Sequence, residues 1–307
     1  ILVGSTCTSA AHMVCVEAKA EAEAATATQD ATPYTPRVAE VEVHVEARVG
    51  AVDITEWVVH TLDNAHKMRT ATETKYGWVV CTEDPVTNQL IALKVYDRAR
   101  LKAGVTLAGK ATCEAMEPEV AVMGTAMRER FPHVVALHCL GGGDGDRVRV
   151  TGTDVFLSTR STLVATRTHL AVAMQAGYAD YHTLTLAAVQ PVDVVKHHVA
   201  QLLLALEFMH DHGFAHCDMS LENIVLLPRP PTYAAGPRPT DDPTDPTDPT
   251  DGASTVAALI DFGFAAPAGV YPVGAAARGK NSYIAPEMAR LRHPFDTRGC
   301  DVYSLGH

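Results

Sequence analysis

The chain has 307 residues, 47% of them apolar, which is enough for one sizeable globular unit or two small ones. Its formal net charge is -11 and its lysines and arginines are scattered, so no basic patch supports a nucleic-acid footprint. No run reaches the roughly eighteen uninterrupted apolar residues of a membrane-spanning helix, and none is expected.

The chain opens on Ile1 rather than methionine, so its natural start is expected upstream. Residues 1–14 have no basic segment ahead of a long apolar core and do not read as a secretory signal. Alanine, glutamate and threonine fill residues 18–31, which read as a solvated helix or a disordered tail. Residues 41–49 alternate apolar and polar, the pattern of one half-buried strand. No docking module is legible in residues 1–64, taken as a partly disordered N-terminal extension.

Residues 78–81 and 90–95 read as strands separated by a turn at Asp84, Pro85, Thr87 and Asn88. Residues 114–130 read as a helix with Pro118 near its start, and 134–140 and 170–174 as further strands. A polar excursion opens on glycines at 141–143 and runs to about residue 167, with room for an irregular hairpin. Residues 192–212 read as a long helix whose apolar run, 199–208, is expected to be buried. Short strands follow at 224–227 and 256–260. Between them, 228–252 carries a Pro-Thr-Asp repeat that can form no core and reads as a disordered surface loop. Strands with one helix, followed by helices, give an α+β chain of two lobes. The seven cysteines show no C-x-x-C pairing, which argues against a disulfide framework and suggests a reducing, cytoplasmic compartment.

The chemistry is concentrated in His216, Cys217, Asp218, Met219, Ser220, Leu221, Glu222 and Asn223, placed after a helix and before an apolar strand. This run resembles the catalytic loop H-R-D-x-x-x-x-N of the eukaryotic protein kinases. Asp261, Phe262 and Gly263 follow an apolar strand and resemble the D-F-G magnesium loop. Ala285, Pro286 and Glu287 resemble A-P-E, and Asp301 to Gly306 resembles the start of the helix whose aspartate buttresses the catalytic loop. Upstream, Ile91, Ala92, Leu93 and Lys94 resemble V-A-I-K. These matches run in order and, counted from Gly77 of the phosphate loop to Gly306, span about three quarters of the chain.

The resemblance implies a two-lobed kinase fold: residues 65–175 as a small lobe with an insertion between its fourth and fifth strands, and 176–307 as part of a helical lobe. Further helices would be expected beyond His307. It implies ATP and Mg2+, with Asp218 receiving the substrate hydroxyl proton, Asn223 and Asp261 as metal ligands, and Lys94 on the α- and β-phosphates. Glu119 is the expected partner of Lys94, because Val122 and Met123 follow it at core-facing spacing, with Glu117 and Glu114 as alternatives. Gly77 and Val79 fall in the phosphate loop. Met174, Gln175 and Ala176 would form the hinge, Ala92 and Val225 would sandwich the base with Val79, and Asp180 is a candidate for the ribose hydroxyls. Leu221, Glu222 and Asn223 resemble the Ser/Thr-kinase ending of the loop, so protein Ser/Thr hydroxyls are the expected acceptors.

Four departures carry expectations of their own. Thr72 and Thr74 stand where the phosphate loop has its first two glycines, which should weaken the cradle. Cys217 replaces the arginine that usually receives an activation-loop phosphate. Residues 264–278 contain no serine or threonine and only Tyr271 as an acceptor, so activity independent of loop phosphorylation is expected. Ser220 stands where the Ser/Thr kinases have a lysine and Lys280 where they have a threonine, as if the two were exchanged. Lys280 would then supply the missing cation, hydrogen-bonded to Ser220 and Asp218. The competing readings are a pseudokinase or inactive fragment, and a small-molecule kinase of the same fold.

Overall fold

The computed structural model describes residues 50–142, 147–228 and 255–307. The tail expected at 18–31, the strand at 41–49 and all of the 228–252 loop except Pro228 lie outside them. Among the described residues the chain divides into two compact units. One holds the residues up to Met127 and Ala136–Ala176, the other Arg128–Val135 and Gly177–His307.

The first unit contains, in chain order, β1 (Val52–Asp53), α1 (Thr55–Asp63), β2 (Thr72–Glu73), β3 (Gly77–Glu83), β4 (Leu90–Asp97), α2 (Arg98–Ala103) and α3 (Met116–Glu129). It continues with β5 (Val148–Arg149), β6 (Phe156–Leu157), β7 (Leu163–Ala165) and β8 (His169–Gln175). Six strands form one antiparallel sheet in the order β2-β3-β4-β8-β7-β6. On β4 the period-two alternation sends Ile91, Leu93 and Val95 into one core, where all three are fully buried. Ile54, Val58 and Leu62 recur every fourth residue at and along α1 and close that core from above. Each such aliphatic side chain contributes about 1.5–3 kcal/mol by burial. Residues 54–62, whose purpose is not legible in the sequence, are therefore part of the sheet's packing. Lys94 and Tyr96, out of phase with that apolar set, both reach Glu119 of α3.

Residues 134–140 do not form the expected strand. They make only isolated bridges, Val134 with Leu259 and Leu137 with Met174. Val134, Val135 and Leu140 are fully buried, and an apolar run enclosed on all sides has the same sequence pattern as a strand. In the excursion that follows, β6 and β7 form a hairpin. The Ser158 hydroxyl oxygen there accepts from the N–H groups of Thr162 at 3.1 Å and Leu163 at 3.0 Å.

The second unit contains β9 (Ala179–Asp180), α4 (Tyr181–Ala187), α5 (Val192–Asp211), β10 (Phe214–Ala215), β11 (Ile224–Pro228), β12 (Thr255–Leu259) and β13 (Ala266–Pro267). The short α6 (Pro286–Ala289) and α7 (Thr297–Gly306) follow. Only one stripe of α5 is buried, carried by Leu202, Ala205, Leu206 and Met209. Leu203 and Leu204 are each 48% exposed, so the 199–208 run is amphipathic in its packing rather than buried all round. β11 pairs with β12 from Ile224↔Leu259 to Pro228↔Thr255. That register puts Asn223 and Ile260 at the same end of the pair, where the Ile260 N–H donates to the Asn223 carbonyl at 3.0 Å.

Candidate active site

In the first unit, Lys94 lies on the central strand, paired with Val79 on one side and Val172 on the other. Its Nζ donates to both carboxylate oxygens of Glu119, at 2.9 and 2.8 Å. Lys94 is 4% exposed and Glu119 1%, so this is a desolvated pair, and it depends on its remaining hydrogen bonds. The Tyr96 hydroxyl supplies one, donating to Glu119 Oε2 at 2.5 Å. Of the three candidate glutamates, Glu119 is the one that accepts hydrogen bonds from Lys94. Glu114 Oε1 also lies 3.7 Å from Lys94 Nζ, a second acid that the one-partner expectation missed. The period-two spacing of Lys94 and Tyr96 was the available signal for the tyrosine.

Gly77 pairs with Tyr96 at the start of β3, and a Cβ there would stand 2.0 Å from the Val95 carbonyl oxygen, so no other residue fits. Ala92 and Met174 are paired across β4 and β8, and each is 7% exposed. Gln175 cannot offer its own N–H to a base in this arrangement. That group donates to the Ala136 carbonyl at 3.1 Å, and the Gln175 side-chain oxygen accepts from the Ala136 N–H.

In the second unit the loop 216–223 is held from several sides. The Asp301 carboxylate accepts the N–H of His216 and of Cys217, both at 2.8 Å, and the His210 ring nitrogen at 2.9 Å. His216 Nε2 donates to the Ile260 carbonyl at 3.0 Å, while its Nδ1 accepts the Asp218 N–H at 3.3 Å. The Asn223 amide donates to the Asp218 carbonyl at 2.7 Å and to Asp218 Oδ2 at 3.2 Å. The Asp218 carboxylate is thus fixed through its own backbone and through Asn223. The other histidines near this loop have protein partners. His198 sits between the Tyr181 and Thr255 hydroxyls, and burial pushes its pKa down to about 4. His212 meets the Phe208 carbonyl and Glu129, and His197 meets Gln201.

Lys280 Nζ donates to Ser220 Oγ at 2.8 Å, so the two exchanged positions do meet. The acid beside Lys280 is Glu222, at 3.3 Å, rather than the expected Asp218. Glu222 is two residues past Ser220, on the single helical turn that presents Asn223. Desolvation opposes ionisation of Glu222, but backbone and side-chain hydrogen bonds and the Lys280 charge outweigh it and lower its pKa. Asp180 has a structural task. Its carboxylate caps α4, accepting the Thr183 N–H and hydroxyl, each at 2.7 Å. Val225 pairs with Asp180 and with Ala258 in the three-stranded sheet.

Cys217 sits where a phosphate-receiving arginine was absent from the sequence, and the structure fills the place with an apolar cluster. Cys217, Tyr271, Met288, Phe295 and Cys300 pack together there. Burial pushes the Cys217 thiol far above its ordinary range, and the Asp301 charge pushes the same way. Tyr271, the expected acceptor, is 1% exposed and stacks on Phe295 with ring centroids 5.0 Å apart, so its hydroxyl is closed to a phosphorylating enzyme in this arrangement. Arg278 secures the segment. It donates to the Phe264 carbonyl at 2.6 Å, the Ala265 carbonyl at 2.8 Å and the Tyr271 hydroxyl at 3.1 Å. Gly279 follows at φ +99, where a Cβ would stand 2.9 Å from the Cys217 carbonyl oxygen. Arg278 belongs to no motif and was not visible in the sequence, and Glu222, although part of the loop's Ser/Thr-kinase ending, carries no signal there of its contact with Lys280.

Residues 161–307 match the protein kinase domain family. The chain is 27% identical over 229 residues to the serine/threonine-protein kinase ATG1 of Gibberella zeae, covering 72% of this chain and 22% of the relative. It is 27% identical over 232 residues to the serine/threonine-protein kinase apg-1 of Neurospora crassa, with the same coverages. A shorter match, 32% over 118 residues, joins 37% of this chain to 12% of the ATG1 kinase of Sclerotinia sclerotiorum. The chain thus spans under a quarter of the length of these curated relatives. Residues 161–307 thus carry a protein kinase domain, and with the β-rich first unit and the ordered motifs the longer matches make the chain similar to eukaryotic serine/threonine protein kinases over about three quarters of its length.

Proposed function

We propose that this chain is the catalytic part of an ATP- and Mg2+-dependent kinase that phosphorylates Ser/Thr hydroxyls of proteins without a phosphate on its own activation segment. The observation that carries the reading is the Asp218–Asn223 pair on a loop anchored by Asp301. Asp218 would accept the proton of the incoming hydroxyl, a role that needs a carboxylate fixed within hydrogen-bond reach. Mg2+ fits the donors available: the Asn223 amide nitrogen is turned to Asp218, which leaves its oxygen as a ligand, and Asp261 follows two residues after β12 at the same end of the strand pair. When bound, the ion neutralises phosphate charge. Lys94, held by Glu119, would position the α- and β-phosphates. Lys280 would present its ammonium to the transferred group, held there by Ser220 and Glu222.

Arg278 and the buried Tyr271 support independence from activation-segment phosphorylation, because the segment is ordered by protein groups alone. A cellular compartment that supplies ATP and keeps the described cysteines free fits this chemistry. The test is Mg2+-dependent transfer of labelled γ-phosphate to protein substrates, with a panel of small alcohols alongside. Transfer to protein is expected. Transfer to alcohols alone would replace the reading with a small-molecule kinase, and ATP binding without transfer would replace it with a pseudokinase.

The exchange of positions 220 and 280 gives a sharper expectation. Lys280→Ala should lower the transfer rate by about tenfold or more, the loss of one charge-assisted contact to phosphate. The double change Ser220→Lys with Lys280→Thr should recover most of that rate. A full rate in Lys280→Ala would show that the ammonium takes no part.

A further inference from the structure

The turn joining β2 to β3 has been altered in more than its glycines. The Thr74 N–H, which a phosphate loop would offer to its ligand, donates instead to the Gly77 carbonyl at 2.8 Å. The Leu107 N–H donates to the Lys75 carbonyl at 2.6 Å, and the Asp97 N–H to the Tyr76 carbonyl at 2.9 Å. The Tyr76 hydroxyl, on a residue 2% exposed, donates to the Glu114 backbone carbonyl at 3.1 Å. This turn is therefore pinned by its backbone to the rest of the unit, and its strongest remaining group is a side chain. Lys75 Nζ lies 2.9 Å from Glu114 Oε2, and Glu114 Oε1 lies 3.7 Å from Lys94 Nζ. One buried carboxylate, 5% exposed, thus holds the two ammonium groups side by side, while the Lys75 side chain is still 41% exposed.

We propose that Lys75 is a second phosphate-binding cation of this chain, held by Glu114 until nucleotide phosphate takes the carboxylate's place. The inference rests on the reading above that Lys94 meets the phosphates of ATP. A backbone cradle depends on N–H groups that approach the phosphates closely, and threonines at 72 and 74 with an internally bonded N–H remove part of it. An ammonium on a flexible stem restores anion binding without that close approach. Glu114 explains how the two lysines, one buried and one partly exposed, coexist before nucleotide arrives: with Glu119 it balances both charges. Exchange of its Oε2 for a phosphate oxygen on Lys75 swaps one anion for another, so neither cation is left uncompensated. The consequence is a preference that rises with the number of phosphates.

The experiment is calorimetry of the whole chain with Mg2+ and either ATP or adenosine. Lys75→Gln is expected to bind ATP about tenfold more weakly, the loss of one charge-assisted contact, with adenosine affinity unchanged. Lys75→Arg should restore most of the ATP affinity, and Glu114→Gln, which removes the competing charge, should tighten ATP binding above that of the native chain. If Lys75→Gln binds ATP as the native chain does, or loses ATP and adenosine equally, the proposal is overturned and the Lys75–Glu114 pair is a structural tie. Lys94→Gln separates the two readings. Weak ATP binding in that variant beside normal binding in Lys75→Gln would sink the Lys75 proposal alone, whereas a native chain that binds no ATP would end both.

Discussion

Asp218→Asn is expected to lower phosphoryl transfer by about 10²–10⁴-fold, the usual contribution of a positioned proton acceptor, while leaving folding and ATP affinity close to those of the native chain. The separation follows from which atoms of Asp218 hold the loop. Its N–H donates to His216 Nδ1 and its carbonyl accepts from Asn223, and both are backbone groups that asparagine keeps. Only Oδ2 meets Asn223 through the side chain, at 3.2 Å, and the asparagine oxygen can stand in for it. What is lost is a carboxylate able to take a proton. Measured side by side, ATP binding, the unfolding midpoint and the rate of transfer to a protein substrate should therefore move independently, with only the last falling. A rate within about threefold of the native one would deny Asp218 the role of base.

The parts of the site that sequence made legible are those in which chemistry fixes a residue type at a fixed spacing. Asp218 and Asn223 are five residues apart on one loop, and the structure joins them directly. Asp301, far along the chain, was legible through the family pattern, and it holds two consecutive N–H groups of that loop. The parts that were not legible come from groups that meet only after folding. Glu114 reaches Lys75 and Lys94 from the segment before α3, and no spacing rule brings those three together. Lys280 and Ser220 were legible as a pair of departures, but the acid beside them was not. The loop's function points to Asp218, whereas the structure pairs Lys280 with Glu222. At the level of fold, β3, β4, β8 and α5 are apolar runs of strand or helix length bounded by polar or turn residues, and they appear where those runs place them. Residues 134–140 lack any alternation because every side is enclosed, and burial without periodicity cannot separate a strand from an extended loop. The helix α1 is not legible in the sequence because Ile54, Val58 and Leu62 are only three apolar positions, and their weight comes from the sheet they pack against.

That same N-terminal sheet depends on a carboxylate outside every kinase motif, and Asp84→Ala is expected to cost about 3–5 kcal/mol of its stability. Asp84 is fully buried in the turn between β3 and β4. Its Oδ1 accepts the N–H groups of Val86 at 2.9 Å and Thr87 at 3.0 Å, the local pattern that makes aspartate a turn residue. Its Oδ2 accepts the Gly141 N–H at 2.7 Å and His138 Nε2 at 2.8 Å, which ties the turn to the chain beyond residue 137. Alanine would strand three N–H groups and a buried imidazole at once, and unsatisfied buried donors are costly because water cannot replace the lost acceptor. Trp57 and Trp78, the chain's two tryptophans, both pack against this unit's core, so intrinsic fluorescence during urea unfolding reports this unit. Asp84→Asn separates charge from shape, since it keeps an acceptor and loses the ion. Burial pushes the Asp84 pKa up, but the His138 ring and the three N–H donors together outweigh it and hold the carboxyl below its ordinary value. A carboxyl depressed in the folded state stabilises it above the unfolded value of about 3.9 and loses that contribution as the pH falls through the lower folded value. The native chain's advantage over Asp84→Asn should therefore be full at neutral pH and shrink only in strong acid. An advantage that stayed constant through that acid range would show that shape, and not the ionised carboxylate, holds the turn.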